Sequence, residues 1–187
     1  MTSAPAVPTV ALPEVATRAA ARRRTLVDQA VLALIGVVVV LVSIPRLRRF
    51  ALQENETDAI RALRALGEDA LARSPIGVAP DLAALVAADA ALRKRLEDLE
   101  VLEDGRLRRH GYVFDWIEGD DGGGAIVAWP WEHGRTGLAA FAIELGGPVL
   151  GLANEDGRYS GPRRPPPPPA SAPAGVGALA WTPLASE

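Results

Sequence analysis

The chain of 187 residues contains no cysteine and only two histidines. The absence of cysteine excludes disulfides, thiolate metal sites and cysteine nucleophiles. A zinc site would need His110 and His133 together with a carboxylate, and we expect His133 to lie in a surface loop instead. No spacing of serine, histidine and acid indicates a hydrolase. We therefore expect no catalysis, no metal and no cofactor.

A strong charge of one sign is also missing. The 20 Lys and Arg residues nearly balance the 23 Asp and Glu residues, which leaves a formal net charge of −3. This balance does not favour a nucleic-acid partner. The stretch GDDGGG lacks the lysine and following helix of a phosphate loop, and its Asp120 and Asp121 lack the alternating oxygen ligands of a calcium loop. We expect neither nucleic acid nor a small-molecule substrate.

One long apolar run dominates the first quarter of the chain. Residues 26–45 (LVDQAVLALIGVVVVLVSIP) have about the length of helix that crosses a hydrocarbon core of about 30 Å. The run is apolar on all sides, which argues against a buried core helix. A cleaved signal peptide would need an Ala-x-Ala-like site at the cut, and VSIPR offers none and places Pro45 badly. The pattern therefore predicts a single transmembrane segment at residues 22–45, kept as an anchor.

The flanks of the run predict how it lies in the membrane. Residues 1–21 are rich in Pro, Ala, Ser and Thr and are predicted to be a disordered leader. Arginines stand on both sides of the run. Arg18 and the triplet Arg22, Arg23 and Arg24 favour an amino terminus on the cytoplasmic side. We expect a single-pass protein of the inner (cytoplasmic) membrane, with the bilayer as a partner and a domain facing the periplasm or outside.

Beyond Pro45 the sequence predicts that the helix continues with one apolar face. Apolar residues recur at steps of three and four, and we expect five of them to pack against a sheet: Leu47, Phe50, Ile60, Leu63 and Leu66. The opposite face carries charges, among them Arg48, Glu54 and Glu56. Pro75 is expected to end the helix, with Arg73 in its last turn. A second helix is predicted at residues 81–99, with Asp81 as its cap.

After residue 100 the period changes from 3.6 to 2. VLEDGRL predicts a hairpin at Asp104-Gly105, and YVFDWI, AIVAWPW, LAAFAIEL and PVLGL predict further strands of an antiparallel meander. Trp116, Trp129 and Trp131 are expected to pack the sheet against the helix, or to form an exposed patch for a partner. The predicted fold is α+β, a long membrane-spanning helix packed on a small antiparallel sheet in a domain of residues 46–160. Residues 161–187, with five consecutive prolines, are predicted to be a disordered tail.

The order of these parts resembles the type IV pilin and type II secretion pseudopilin superfamily. With Pro45 placed on the family's helix-kinking proline, residues 24–28 (RTLVD) fall on its Phe-Thr-Leu-Ile-Glu start without a gap. IPRL is similar to its Ile-Pro-Asn-Leu, and ENETDAIRALRAL to the segment that follows. GYVFDW and AWPWEHGRTGLAAFAIE resemble the sheet of pilin-like proteins. The resemblance spans about residues 22–152.

The resemblance implies a structural subunit of a pilus or secretion-type assembly, with other pilin-like subunits as partners and a kink at Pro45. Asp28 takes the place of a glutamate that pairs, in the family, with the amino group of a neighbouring subunit. A carboxylate in a membrane is costly unless it is paired, so this position predicts a role in assembly, with a hydrated position among the headgroups as the alternative. The candidate processing junction is Arg23-Arg24, where the family has glycine and phenylalanine.

A second interpretation is a membrane-tethered periplasmic or extracellular binding module that does not form filaments. It would recognise a partner through the Trp-bearing strands or offer its proline-rich tail to one. The two interpretations differ at Asp28, because only an assembling subunit needs a carboxylate there for self-association.

Overall fold

The fold is α+β. The computed structural model describes residues 14–74, 78–119, 123–169 and 181–184. Within these ranges, side chains are described for Gln29 and from residue 31 onward. The chain divides into two compact units, Met1–Arg46 and Leu47–Glu187. The described residues form three helices and seven strands: α1 (Glu14–Arg73), α2 (Leu82–Ala88), α3 (Ala90–Arg95), β1 (Glu100–Val101), β2 (Leu107–Arg109), β3 (Tyr112–Glu118), β4 (Gly124–Pro130), β5 (Ala140–Glu144), β6 (Val149–Leu152) and β7 (Thr182–Pro183).

Helix α1 is 60 residues long and ends where the sequence predicts, with Arg73 in its last turn. There, Arg73 Nε donates to Asp69 Oδ1 at 2.7 Å. The helix begins at Glu14, inside the segment 1–21 that we predicted to be disordered. The reason lies in the residues after Pro13, because that stretch is rich in Ala and Arg, which have high helix propensity.

The predicted helix at residues 81–99 is two short helices separated at Asp89. Asp81 caps α2 as predicted, its carboxylate accepting from Ala84 N at 2.9 Å. Asp89 has an extended backbone (φ −108°, ψ 108°), and its Oδ1 accepts from Ala91 N at 2.7 Å. Its other oxygen accepts from Arg73. An aspartate whose carboxylate accepts from the amides of the following turn favours the cap position over a helix interior. Asp89 therefore ends α2 and begins α3.

The strands form one antiparallel sheet in the order β1-β2-β3-β4-β5-β6-β7, the meander that the alternating pattern predicts. The longest pairing joins β3 to β4 over seven residue pairs, from Tyr112↔Pro130 to Glu118↔Gly124. The hairpin between β1 and β2 turns at Gly105, whose φ of 84° suits glycine. Strand β7 was not predicted, and it pairs with β6 through Leu150↔Pro183 and Gly151↔Thr182.

Helix α1 packs on one face of the sheet within the unit Leu47–Glu187. Leu63 and Leu66 are fully buried in a cluster with Phe114, Ile126 and Phe141, and Ile60 is partly buried against it, as predicted. The prediction was wrong for Leu47 and Phe50, which are 67% and 66% exposed. At about 100° per residue they lie roughly 160° and 140° around the helix from Leu63. Leu52 lies only about 20° from Leu63 and is buried instead.

The other face of the sheet has its own core. Its buried members are Val113, Ala125, Val127, Trp129, Ala140, Ala142 and Leu152, with Trp131, Tyr159 and Trp181 partly buried against them. Trp129 Nε1 donates to Gly161 O at 2.7 Å, and Pro166 and Pro168 are buried. The described parts of residues 161–187 therefore differ from the disordered tail that we predicted. Gly161 satisfies the buried Trp129 indole N–H, and a proline loses little entropy when it is ordered.

Candidate membrane anchor and helix–loop contact

The first candidate site is the apolar stretch of α1 at residues 31–44. Among the described residues, α1 is the one helix long and apolar enough to cross a membrane, and its most apolar stretch is exposed. Every side chain from residue 31 to 44 is exposed except Ser43, which is partly buried. A helix that is apolar on all sides is typical of an apolar environment such as a bilayer. The stretch fits a single-pass membrane anchor.

The residues that sequence analysis tied to assembly and processing lie next to this anchor. The backbone of Arg23, Arg24 and Asp28 belongs to α1, but their side chains lie outside the described part of the chain. Their roles therefore stay predictions. Pro45 lies inside α1, and the helix continues past it to Arg73. The kink at Pro45 likewise stays a prediction.

The second candidate site is a set of polar contacts between α1 and the loop from β4 to β5, which we call the helix–loop contact (Arg48, Asn55 and Glu56 with residues 134–139). Arg48 Nη2 donates to Gly134 O at 2.8 Å, and Asn55 Nδ2 donates to Thr136 O at 2.9 Å. These side chains satisfy backbone carbonyls that no strand partner reaches. The helix thereby holds one side of the loop.

Glu56 holds the other side of the loop. Its Oε1 accepts from Leu138 N at 2.8 Å and from Ala139 N at 3.2 Å. Hydrogen bonds from amides to a carboxylate are stronger than neutral ones. Since Ala139 immediately precedes β5, this carboxylate fixes the point at which the strand begins.

The loop itself is shaped by two glycines and a tyrosine. Gly134 has a φ of 73°, which favours glycine. A Cβ on Gly137 would lie 2.0 Å from the Tyr112 hydroxyl oxygen, so only glycine fits there. That hydroxyl donates to Ala139 O at 3.0 Å. Burial, with a smaller contribution from Glu56, raises the pKa of Tyr112 well above its ordinary value, so the phenol stays a donor.

Sequence analysis missed this contact because it placed Arg48 and Glu56 on a solvent-facing side of the helix. Both residues are polar at the expected positions, but their partners lie more than 80 residues away in the chain. The available signal was the pair of stretches ENETDA and EHGRTG, which the resemblance to pilin-like proteins singled out separately. Their direct contact is what the structure adds.

The two histidines do not form a common site. His110 lies between two carboxylates, with Nδ1 2.9 Å from Asp58 Oδ2 and Nε2 3.2 Å from Asp98 Oδ2. His133 lies in the β4–β5 loop, where its backbone N donates to Ser160 Oγ at 2.9 Å. Over the residues that the structure describes, no group of three His, Asp or Glu side chains could hold a metal ion. Asp120 and Asp121 lie outside that range.

The tryptophans divide between the two faces of the sheet. Trp116 packs against the cluster that α1 covers, as predicted. The prediction was wrong for Trp129 and Trp131, which belong to the opposite face. Arg108 lies over the Trp131 ring, 4.4 Å from its centroid. The alternation of strand side chains puts Trp129 and Trp131 on the same face, opposite to Trp116.

Comparison of the chain with protein-family models, with curated proteins and with solved structures finds no match in any of the three. The described residues combine an unburied apolar helix with a domain fastened to the continuation of the same helix by apolar packing and by the helix–loop contact. The apolar stretch of this helix fits a single-pass membrane anchor.

Proposed function

We propose that this chain is a structural, membrane-anchored, pilin-like or pseudopilin-like subunit of a pilus or secretion-type assembly. The observation that carries the proposal is that one helix has two kinds of surface. Apart from Ser43, residues 31–44 are apolar and exposed, whereas the downstream residues Leu63 and Leu66 are buried against an antiparallel sheet. The exposed part is available to lipid and to the same part of a neighbouring subunit. The buried part of the same helix belongs to the core of the folded domain.

The helix–loop contact supports the proposal independently. Asn55 and Glu56 come from ENETDA, and residues 134–139 come from the GRTGLA of the second stretch. Both stretches resemble pilin-like sequences, and they lie 81 to 83 residues apart where they bond. The two stretches resemble pilin-like sequences separately, and in the folded domain they contact each other directly. This contact favours a pilin-like architecture over two unrelated chance similarities.

Asp28 is the residue proposed to direct assembly. A carboxylate in hydrocarbon costs roughly 2.5–3.5 kcal/mol at the centre of a spanning helix, and a positive partner offsets this cost. In the proposed assembly the partner is the amino group of the neighbouring subunit, freed by processing at Arg23-Arg24. Pairing would select one axial offset between adjacent helices, since other offsets leave the carboxylate unpaired. The domain then faces the periplasm or the outside of an inner membrane.

Cross-linking in native membranes tests this role. Since the chain has no cysteine, Val38→Cys introduces a single thiol into the exposed apolar stretch. Oxidation should give a cross-linked dimer, which Asp28→Ala should reduce severalfold and Asp28→Glu should largely retain. Gln29→Ala is the matched control, because it removes a polar side chain one position away without removing a charge. Membrane insertion should be unchanged in all variants.

The second candidate, a membrane-tethered binding module, is favoured by one observation, the arginines at positions 23 and 24 where the family has glycine and phenylalanine. A module of this kind needs the membrane anchor, but it does not need Asp28 to set an axial offset between neighbouring chains. Equal dimer yields with and without the Asp28→Ala substitution would overturn the pilin-like proposal in favour of the module.

A further inference from the structure

The domain contains a cleft of about 460 Å³ between α1, α3 and β2 that the proposed function does not use. Its volume lies in the range of small-molecule sites, roughly 300–1,000 Å³. Six of its eight lining residues are charged: Asp58, Arg61, Arg64, Glu68, Arg95 and Arg109. Four arginines thus face two carboxylates, although the whole chain carries a net charge of −3. The cleft is therefore locally positive in an acidic chain.

The arginines of the cleft are incompletely paired. Arg61 and Arg64 are one turn apart on α1 and form no hydrogen bond or ion pair with any residue that the structure describes. Arg95 reaches Glu68 only at 3.5 Å, with both side chains mostly exposed. An exposed pair of this kind contributes little stability. Three of the four guanidinium groups can therefore turn toward a ligand at small cost.

Arg109, on β2, is the fourth arginine that lines the cleft. Its side chain is 11% exposed, and its Nη2 lies 3.2 Å from Asp58 Oδ1. The same carboxylate is shared with His110 Nδ1 at 2.9 Å. Arg109 Nη1 donates to Arg95 O at 3.4 Å, and its buried Nε has no partner among the described residues. These contacts hold the Arg109 guanidinium in place, so it adds a fixed positive charge to the lining of the cleft.

We propose that this cleft binds a compact phosphate-bearing anion. Guanidinium groups match phosphate oxygens with paired hydrogen bonds, which favours phosphate over a simple counter-ion. The lining contains no aromatic side chain on which a base or sugar ring could stack, and only two of its residues are apolar. The ligand must therefore carry its charge over most of its surface. Pyrophosphate is the simplest probe, and an exposed phospholipid headgroup presents related chemistry.

Isothermal titration calorimetry on the full chain in a non-ionic detergent, at constant ionic strength, tests the proposal with pyrophosphate. Wild type should show saturable binding at one site. The double variant Arg61→Gln, Arg64→Gln should bind about tenfold more weakly or worse, a loss of about 1.4 kcal/mol or more. The control is Arg93→Gln, Lys94→Gln, which removes the same charge from exposed positions of α3 outside the cleft. Its affinity should stay within about twofold, well under the 1.4 kcal/mol of a tenfold change.

A third variant distinguishes a specific binding site from a generally basic surface, because it should increase the affinity for pyrophosphate. Glu68→Gln removes the carboxylate that competes for Arg95, so pyrophosphate should bind severalfold more tightly. Glu68 is mostly exposed, so the fold should tolerate the change. Parallel titration with glycerophosphoglycerol distinguishes a soluble phosphate compound from a phospholipid headgroup as the ligand. Tighter binding of pyrophosphate indicates a soluble ligand. Tighter binding of glycerophosphoglycerol indicates a lipid headgroup. Absence of saturable binding to both, or equal losses in the two double variants, would overturn the proposal.

Discussion

The two halves of α1 contain similar apolar residues, and they differ in what surrounds them. Leu34 and Leu41 in the upstream half are each 62% exposed, whereas Leu63 and Leu66 in the downstream half are completely buried. Upstream, apolar side chains cover the whole circumference. Downstream, they form a stripe with charged residues opposite. The comparison teaches that the distribution of apolar residues around a helix, more than their number, indicates whether lipid or a protein core surrounds it.

The largest expected effect comes from charging the upstream half. Val38→Arg with Val39→Arg should abolish membrane insertion, because each arginine costs roughly 2.5–3.5 kcal/mol near the centre of a spanning helix. Carbonate extraction should move the variant from the membrane fraction to the supernatant. Val38→Leu with Val39→Leu is the control and should remain in the membrane. An arginine pair that stays in the membrane would mean that residues 31–44 are not the anchor.

The next effect comes from the buried stripe of the downstream half. Leu63→Ala should lower the free energy of unfolding by about 2–5 kcal/mol, because it opens a cavity in a fully buried position. Leu71→Ala, at a position 57% exposed on the same helix, should change it by less than about 0.5 kcal/mol. Urea unfolding followed by tryptophan fluorescence measures both. Equal effects would show that the stripe does not pack on the sheet.

A smaller effect is expected where the downstream half bonds the loop. Glu56→Ala should destabilise the domain by about 1–3 kcal/mol, because it leaves the amides of Leu138 and Ala139 without their acceptor. Hydrogen exchange should speed up at these two amides in particular. Glu54→Ala, an exposed neighbour, should leave their exchange unchanged. Unchanged exchange of these amides in the Glu56 variant would contradict the claim that the helix–loop contact stabilises the loop.

The smallest effect concerns the end of α1, where Arg73 bonds Asp89. Amides of Leu92 and Ala91, and the Arg73 charge, hold the pKa of Asp89 below its ordinary value of 3.8. A lowered folded pKa gives stability that is present above 3.8 and is lost as the pH falls through the folded pKa. Asp89→Asn should therefore lower Tm by a few degrees at most at neutral pH, with the difference vanishing in strong acid. A difference that grows toward acid pH would contradict this assignment.

Local pattern predicted much of the fold. The end of α1, the Asp81 cap and the strands from Tyr112 to Leu152 follow from periodicity and from residues that act on their immediate neighbours. The sequence predicted less well which residues of α1 lie on the face that packs on the sheet. Leu47 and Phe50 are three residues apart, as on one helix face, yet they lie far around the helix from Leu63. The helix–loop contact was not predictable from local pattern, since Glu56 resembles any surface residue until a loop 82 residues later presents its amides.

The described part of the proline-rich segment shows the same limit. Its composition predicts disorder, but composition does not reveal that Trp129 on a distant strand needs an acceptor, which Gly161 provides. The arginine cleft is assembled from three elements and is likewise invisible in the linear sequence. Sequence therefore predicted the pairing of neighbouring strands and part of the helix-to-sheet packing, but not the specific polar contacts between distant segments.

The most direct test of the central claim is the amino-terminal sequence and intact mass of the protein recovered from its native membrane. The pilin-like account predicts a terminus at or close to Arg24, with residues 31–44 retained as the anchor and a free amino group near Asp28. A chain that keeps its leader would contradict the filament-subunit proposal and favour the tethered module. A terminus beyond Ile44 would contradict the anchor itself, because the whole upstream half of the helix would be absent from the mature protein.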